Sequence, residues 1–146
     1  MNLNFQYKYQ LPFSASDVWK VAGEFGSLDE IHSGTVTCTL QNGGNVRKLT
    51  TVNGALLWER LINFSEKDKT LSYLIFDVKN YKKSPYGIGY IGNIIVSEVD
   101  SDTSIFCYEA EFELQVGFNE QEAYDELDQF SKDCVLGIQR YLNRKF

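Results

Sequence analysis

The chain has 146 residues, of which 43% are apolar and 23% charged, a composition typical of one globular domain. Its 14 basic and 20 acidic residues give a net charge of −6, and no basic block is longer than Lys82-Lys83. Nucleic acids and anionic membranes bind clustered Lys and Arg, so neither is an expected partner, and no apolar stretch is long enough for a membrane span. We expect a single domain over residues 1–146.

The N-terminal part of the chain predicts one strand and two short helices. Apolar and polar residues alternate from Asn2 to Leu11, which is the period of a half-buried strand. Ser14 and Asp17 stand at the spacing of a helix cap, so a helix begins at about Ala15. A second short helix ends at Gly34, where glycine can terminate it.

The middle of the chain predicts a run of strands joined by turns. Asn42-Gly43-Gly44 and Asn53-Gly54 supply the positive φ of tight hairpins, so the strands beside them should form an antiparallel meander. The stretch from Lys79 to Gly89 is the longest irregular loop, and such loops often carry function. The predicted strands are Thr35–Gln41, Val46–Val52, Ala55–Ser65, Thr70–Val78, Tyr90–Val99 and Thr103–Val116.

The C-terminal part predicts one long helix. Asn119 and Glu122 resemble a capping box, and a helix of roughly 25 residues from there is about 38 Å long. An apolar stripe at helical spacing consists of Leu127, Phe130, Cys134, Ile138 and Tyr141. A sheet with one apolar face and a helix with one apolar stripe bury those surfaces against each other, and a cavity can remain between them.

This order of elements predicts an α+β fold in which a curved, seven-stranded antiparallel sheet surrounds the C-terminal helix. A closed eight-stranded lipocalin-like barrel is the alternative, although the strand count and the two early helices do not favour it. A cone-shaped α+β dehydratase fold is favoured still less, because those chains usually begin with helices.

Cysteine and histidine content argues against a metal site. Cys38, Cys107 and Cys134 are too widely spaced for a zinc knuckle, and an odd number suits reduced thiols. His32 is the only histidine, so a multi-histidine site is impossible. Residues 87–92 spell GxGxxG, but a strand is predicted after them, whereas a dinucleotide site needs a helix. We expect neither a metal nor a cofactor.

Several short segments, taken in order along the chain, resemble those of a known superfamily. They are Phe25–His32, Val46–Leu49 before Asn53-Gly54, Glu59–Leu61, Leu71–Tyr73, and Tyr90 after Pro85. The ordered set, rather than one motif, resembles the START-like SRPBCC superfamily, and more narrowly its polyketide cyclase/dehydrase and lipid-transport branch. The resemblance covers nearly the whole chain. It implies a helix-grip fold with a hydrophobic ligand cavity under the long helix.

Glu59 is the first candidate site residue, because the resemblance implies that this glutamate points into the cavity. The residues agree: Leu57, Glu59 and Leu61 share one strand face, and a carboxylate between leucines needs a polar partner when it is buried. The alternative is that strand twist turns Glu59 to solvent, so that Trp58 and Ile62 form the core face.

His32 is the second candidate, since the resemblance implies a polar contact with the cavity at the end of the second helix. It is the only side chain that titrates near neutrality without perturbation. Members of the branch often have Trp before this His, where this chain has Ile31, and a solvent-exposed histidine is the alternative. Tyr73 and Tyr90 also match cavity-lining positions, and a phenol offers an apolar ring with a hydrogen-bonding tip.

The remaining expected wall residues are apolar or small, and core packing is the alternative for each of them. They are Leu49, Thr51, Leu57, Leu61, Ile75, Phe112, Phe130 and Cys134. Pro85 and Tyr86 stand in the long loop, where they would form either an entrance lid or an ordinary turn.

Two functions follow from these residues. The first is binding or transport of a small hydrophobic molecule, such as a lipid, an isoprenoid or an aromatic polyketide, supported by 14% aromatic residues and the absence of a nucleophile–base–orienter set. The second is a cyclase or dehydratase in which Glu59 or His32 transfers a proton while Tyr73 or Tyr90 polarises a carbonyl. A regulatory protein that exposes a partner surface on ligand binding is a third possibility. The first residues show no charged leader or apolar signal core, which predicts a cytoplasmic protein.

Overall fold

The computed structural model describes residues 2–145. Its elements are β1 Asn2–Leu11, α1 Ala15–Ala22, α2 Leu28–Ile31, β2 Thr35–Gln41, β3 Val46–Thr51, β4 Leu56–Ser65, β5 Thr70–Lys79, β6 Ile91–Asp100, β7 Thr103–Glu113 and α3 Glu120–Lys145. This order of one strand, two helices, six strands and a final helix confirms the prediction. None of the helices within this part of the chain combines the length and apolarity needed to cross a membrane.

The strands form one open antiparallel sheet in the order β1-β7-β6-β5-β4-β3-β2. Because β1 pairs with β7, the two edges are β1 and β2, and the closed lipocalin-like barrel is excluded. Register shifts in the β4–β5 pair, between Trp58 and Glu59 and between Leu61 and Asn63, bend the sheet locally. The curvature leaves a concave face for the helices.

The β2–β3 connection agrees with the prediction, whereas the end of β7 differs from it. The chain between β2 and β3 forms a short 3₁₀ turn at Asn42–Gly44, with the predicted positive φ at all three residues. β7 ends at Glu113 instead of Val116 because the next residues leave the strand ladder. There the Gln115 backbone N–H donates to the Pro85 carbonyl at 2.9 Å, which ties the long loop to the end of β7.

Both predicted helix caps are present. The Ser14 hydroxyl accepts a hydrogen bond from the Asp17 backbone N–H at 3.1 Å, so α1 begins where the sequence indicates. The Asn119 side chain accepts from the Glu122 N–H at 2.9 Å, and the Glu122 carboxylate accepts from the Asn119 N–H at 3.0 Å. This reciprocal box marks the start of α3, as the sequence predicts.

A close approach of backbones joins α2 to α3. A Cβ atom built on Gly137, the only glycine in α3, would lie 1.9 Å from the Ile31 carbonyl oxygen. Glycine is therefore the residue that lets the two helices meet here. The contact places His32, which follows α2, beside the middle of α3.

Candidate ligand-binding site

A cavity of about 380 Å³ lies between the concave face of the sheet and α3. Exposed residues at its rim come from the β3–β4 turn, the loop after β5 and the outer side of α3, so the cavity opens to solvent between these segments. Nine of the residues expected at the site line it: His32, Leu49, Thr51, Leu57, Glu59, Tyr73, Ile75, Tyr90 and Phe130.

Three of the expected wall residues lie outside this cavity. Leu61 follows Glu59 on the same face of β4 but lies beyond it, paired with Tyr73 in the sheet. Phe112 is buried behind the rings of Tyr86 and Tyr90, with centroid distances of 5.7 and 5.8 Å. Cys134 lines a separate space of about 10 Å³. Phe112 and Cys134 are buried and Leu61 is half-buried against the core, so these residues pack in the interior without reaching the cavity.

Glu59 is buried and forms an ion pair with Arg47. The Arg47 Nε donates to Glu59 Oε1 at 2.7 Å, and Nη2 lies 2.7 Å from the same oxygen. Only 3% of Arg47 and 4% of Glu59 are exposed. Glu59 and Leu57 therefore face inward, and the alternative with Ile62 in the core is wrong, since Ile62 is 47% exposed.

Arg47 is held from several sides. Its Nη1 donates to the Phe25 carbonyl at 3.1 Å, and its Cζ lies 4.4 Å from the centroid of the Phe25 ring and 4.7 Å from that of Tyr73. Cation–π contacts of this kind strengthen when they are removed from water. The guanidinium is thus locked behind Glu59 rather than free in the cavity.

Burial disfavours the charged forms of both Arg47 and Glu59, and each residue stabilises the charged form of the other. Burial raises the pKa of the Glu59 carboxyl, and the neighbouring Arg47 charge opposes that rise. Burial acts to lower the pKa of Arg47, but the charge and hydrogen bond of Glu59, together with Tyr73 and Cys38, outweigh it and the pKa moves up. Removing either partner would leave the other charge buried and uncompensated.

A hydrogen-bonded cluster of Tyr73, Tyr90 and Tyr108, the tyrosine trio, lines the cavity beside the ion pair. The Tyr108 hydroxyl is central: it lies 2.6 Å from the Tyr73 hydroxyl and 2.5 Å from the Tyr90 hydroxyl. Burial raises the pKa of all three phenols above their ordinary value of 10.0. They are neutral hydrogen-bonding groups at physiological pH.

Gly92 makes room for the tyrosine trio. It pairs with Tyr73 across β5 and β6, and a Cβ atom built on Gly92 would lie 2.4 Å from the Tyr73 Cζ. The absence of a side chain lets the Tyr73 ring lie across β6 toward Tyr108. The Tyr73 ring of β5 fills the space that a side chain at position 92 of β6 would occupy.

Sequence reasoning missed Arg47 and Tyr108, the partners that hold Glu59 and the other two tyrosines, although a signal was present for each. Arg47 shares the inner face of β3 with Leu49, two residues later. Tyr108 shares the inner face of β7 with Ala110 and Phe112 in the same alternating pattern. Their roles depend on partners in other strands, which the alternation does not identify.

His32 lies at the cavity wall between β2 and α3. Its Nδ1 is 2.8 Å from the Thr35 hydroxyl, and its ring centroid is 4.6 Å from that of Phe130. Burial lowers the pKa of His32 below 6.5, and Asp133 partly opposes this. Among residues 2–145 no hydrogen bond or ion pair joins His32 to Glu59, so they do not form an acid–base couple.

The long loop after β5 is anchored by ring packing against Tyr90 and by a hydrogen bond within the loop. Tyr86 lines the cavity and packs against Tyr90 at 4.8 Å between ring centroids, while Pro85 is buried and outside the lining. The Tyr81 hydroxyl donates to the Tyr86 carbonyl at 3.1 Å. Lys82 and Lys83, between these tyrosines, are exposed at the mouth.

The site contains no arrangement typical of a metal centre. Within the described residues, no group of three or more His, Cys, Asp or Glu side chains is placed to hold a metal ion. The three cysteines are free thiols, and Cys107 and Cys134 are buried. The ionisable groups at the cavity wall are phenols, carboxylates, one imidazole and, at the mouth, the amines of Lys82 and Lys83.

An open antiparallel sheet that curves around a long C-terminal helix defines the START-like, helix-grip class of proteins. XoxI from Bacillus cereus is 25% identical, with a TM-score of 0.85 over 98% of each chain. A START superfamily protein from Mycobacterium smegmatis is 7% identical, with a TM-score of 0.78 over 98% of this chain and 99% of that one. The Zhui aromatase/cyclase from a Streptomyces species is 12% identical, with a TM-score of 0.74 over 100% and 97% of the two chains.

The chain belongs to the polyketide cyclase/dehydrase and lipid transport family, whose profile matches residues 3–130. This match covers the sheet, both short helices and the first part of α3, and confirms the resemblance seen in the sequence. No curated protein matches the chain.

Proposed function

We propose that this protein binds a small, largely apolar molecule in the cavity between the sheet and α3, and stores or transports it. The observation that carries the proposal is a cavity of about 380 Å³ with aliphatic and aromatic walls. Ligand sites usually measure roughly 300–1,000 Å³ and combine such walls with a few polar groups. Membership of a family described by polyketide cyclisation and lipid transport supports the same function. Lipids, isoprenoids and aromatic polyketides are the candidate classes.

Native mass spectrometry of the purified protein, followed by solvent extraction, tests the proposal directly. A titration against a broad library of apolar molecules, monitored by tyrosine and tryptophan fluorescence, adds affinities. Leu57→Trp fills the cavity, because Leu57 lines it and is only 8% exposed. Leu56→Trp adds the same bulk on the opposite strand face and is the matched control.

We expect saturable binding by the wild type and the control, and a loss of at least about tenfold in affinity for Leu57→Trp. Absence of saturable binding by the wild type across the library contradicts the proposal. Equal binding by both variants contradicts the assignment of the cavity, even if binding occurs elsewhere.

A cyclase or dehydratase activity is a second candidate, favoured by Glu59 at the cavity wall beside three phenols. Burial raises the pKa of Glu59, which moves it toward the range of a general acid or base. The α-protons of 1-tetralone, an aryl ketone, exchange in D₂O if a base abstracts them, and NMR follows this exchange. Catalysed exchange that is lost in Glu59→Gln but kept in His32→Gln supports Glu59 as the base. Exchange at the uncatalysed rate with wild type argues against this chemistry.

A further inference from the structure

The inner end of the cavity presents two hydrogen-bonding sites of opposite polarity. From them we infer that the preferred ligand is an uncharged molecule with a carbonyl acceptor at one end and a hydroxyl donor at the other. The carbonyl meets the tyrosine trio, and the hydroxyl meets Glu59. This inference rests on the proposed function and adds the chemical class of the ligand and its orientation.

The tyrosine trio has one hydroxyl hydrogen more than its internal bonds use. Three phenols carry three donor hydrogens, and the two hydrogen bonds through Tyr108 use two of them, whichever atoms donate. Among residues 2–145 the trio hydroxyls have no other hydrogen-bond acceptor. The remaining hydrogen is available at the cavity wall, where it suits an oxygen acceptor brought by the ligand.

Glu59 provides a hydrogen-bond acceptor, whereas the tyrosine trio provides a donor. Both contacts from Arg47 fall on Oε1, and Oε2 has no hydrogen-bond partner among the described residues. Within the same residues, the only fully buried polar side-chain atom without a partner is Ser104 Oγ. Oε2 is therefore not sealed in the core, and because Glu59 lines the cavity, this oxygen opens onto it. A carboxylate oxygen accepts hydrogen bonds and cannot donate them.

The arrangement of charges selects an uncharged ligand. Arg47 already balances Glu59, and its guanidinium is also held by the Phe25 carbonyl and two aromatic rings. The lysines that line the cavity, Lys82 and Lys83, are exposed at the mouth. An anionic group at the inner end would therefore meet the Glu59 charge with no free cation near it.

Arg47 also contacts a residue of each of the two sites. Glu59 Oε1 lies 2.7 Å from Arg47 Nη2 on one side, and the Tyr73 ring centroid lies 4.7 Å from Arg47 Cζ on the other. The donor and acceptor sites therefore flank one guanidinium.

Five related bicyclic probes test the inference with the intact protein. They are 6-hydroxy-1-tetralone, which has both groups; 1-tetralone, which has only the carbonyl; 5,6,7,8-tetrahydro-2-naphthol, which has only the hydroxyl; tetralin, which has neither; and 1-tetralone-6-carboxylic acid, which replaces the hydroxyl by an acid. Dissociation constants are measured by calorimetry. Infrared spectra of bound 1-tetralone, labelled with ¹³C at the carbonyl, report whether that carbonyl accepts a hydrogen bond.

We expect each polar group to tighten binding about tenfold relative to tetralin, and the acid to bind more weakly than 1-tetralone. The carbonyl stretch should move to lower frequency than in cyclohexane. In Glu59→Gln the amide N–H₂ can take the place of Oε2 at the cavity, so the ligand hydroxyl loses its charged acceptor and the gain from it should fall, while the gain from the carbonyl stays. Glu126→Gln, which neutralises a carboxylate of α3 at the same cavity, is the matched control and should keep both gains.

Equal affinity for tetralin and 6-hydroxy-1-tetralone overturns the inference while leaving cavity binding intact. An unshifted carbonyl stretch, or tighter binding of the acid than of 1-tetralone, also overturns it, and neither result depends on a variant that folds. Failure of all five probes overturns it as well. The library titration then decides separately whether the cavity binds apolar molecules at all.

Discussion

The two ends of the cavity use polar residues in different ways. At the inner end, Arg47, Glu59 and the tyrosine trio are buried and held by contacts from neighbouring strands. At the mouth, Lys82 and Lys83 are exposed on a loop. The inner groups keep one geometry because strand register fixes them, whereas the mouth groups are solvated and free to rearrange. Chemical selectivity should therefore come from the inner end, and access from the mouth.

The largest effect on the free energy of unfolding is expected at the inner end, when Arg47 is replaced by Met. Glu59 then remains buried without its partner, and we expect a loss of about 3–5 kcal/mol in the free energy of unfolding. Urea denaturation measures it. The double variant Arg47→Met with Glu59→Leu removes both charges and should recover most of the loss. A single variant that costs less than about 1 kcal/mol would show that the pair is not a unit.

A smaller effect is expected from Gly92→Ala. The new methyl group overlaps the Tyr73 ring and displaces it from Tyr108, which should cost about 1–3 kcal/mol. Thermal and urea unfolding report the loss, and the near-ultraviolet circular dichroism of the tyrosines should change as well. Gly87→Ala is the control, because its nearest neighbour would be 4.0 Å away in Gln115, and it should stay within about 0.5 kcal/mol of wild type. Equal effects of the two variants would contradict the packing described at Gly92.

His32, on the helix side of the wall, should make stability depend on pH. Its pKa is lowered in the fold, so the unfolded chain takes up a proton at higher pH than the folded protein does. The stability that depends on neutral His32 is fully present above about pH 6.5, the ordinary pKa of histidine. It is lost as the pH falls through the lower pKa of His32 in the folded protein. Urea midpoints measured between pH 7.5 and 5 should fall more for wild type than for His32→Gln. Parallel profiles would show that His32 is not responsible.

The smallest effect is expected at the mouth. Replacing Lys82 and Lys83 together by Ala removes two exposed charges and should change the free energy of unfolding by about 0.5 kcal/mol or less. The same variant should alter the rate of ligand entry more than the affinity, which stopped-flow fluorescence with 1-tetralone can measure. A large loss of stability would show that the loop is part of the folded core.

The candidate site was only partly predictable from the sequence. Alternation along a strand shows which residues share a face, and the family resemblance indicated that the face of Glu59 and the position of Tyr73 are inward. Neither shows how deep a residue lies, so Leu61 and Phe112 were expected at the wall although they pack beyond it. Arg47 was missed because an isolated charge in a strand usually faces solvent, and only its pairing with Glu59 across β3 and β4 explains its burial.

The sequence by itself determined the elements, their order and the class of fold, because helix caps, periodicity and turn residues act over a few neighbouring positions. The capping box at Asn119 and Glu122 and the strand at residues 2–11 are examples. Only the tertiary structure decided which polar groups meet. The hydrogen bond between Tyr73 and Tyr108 joins residues 35 positions apart, and the bond between Arg47 and Glu59 depends on the register of two strands. These contacts depend on how the sheet bends and pairs, which no local pattern specifies.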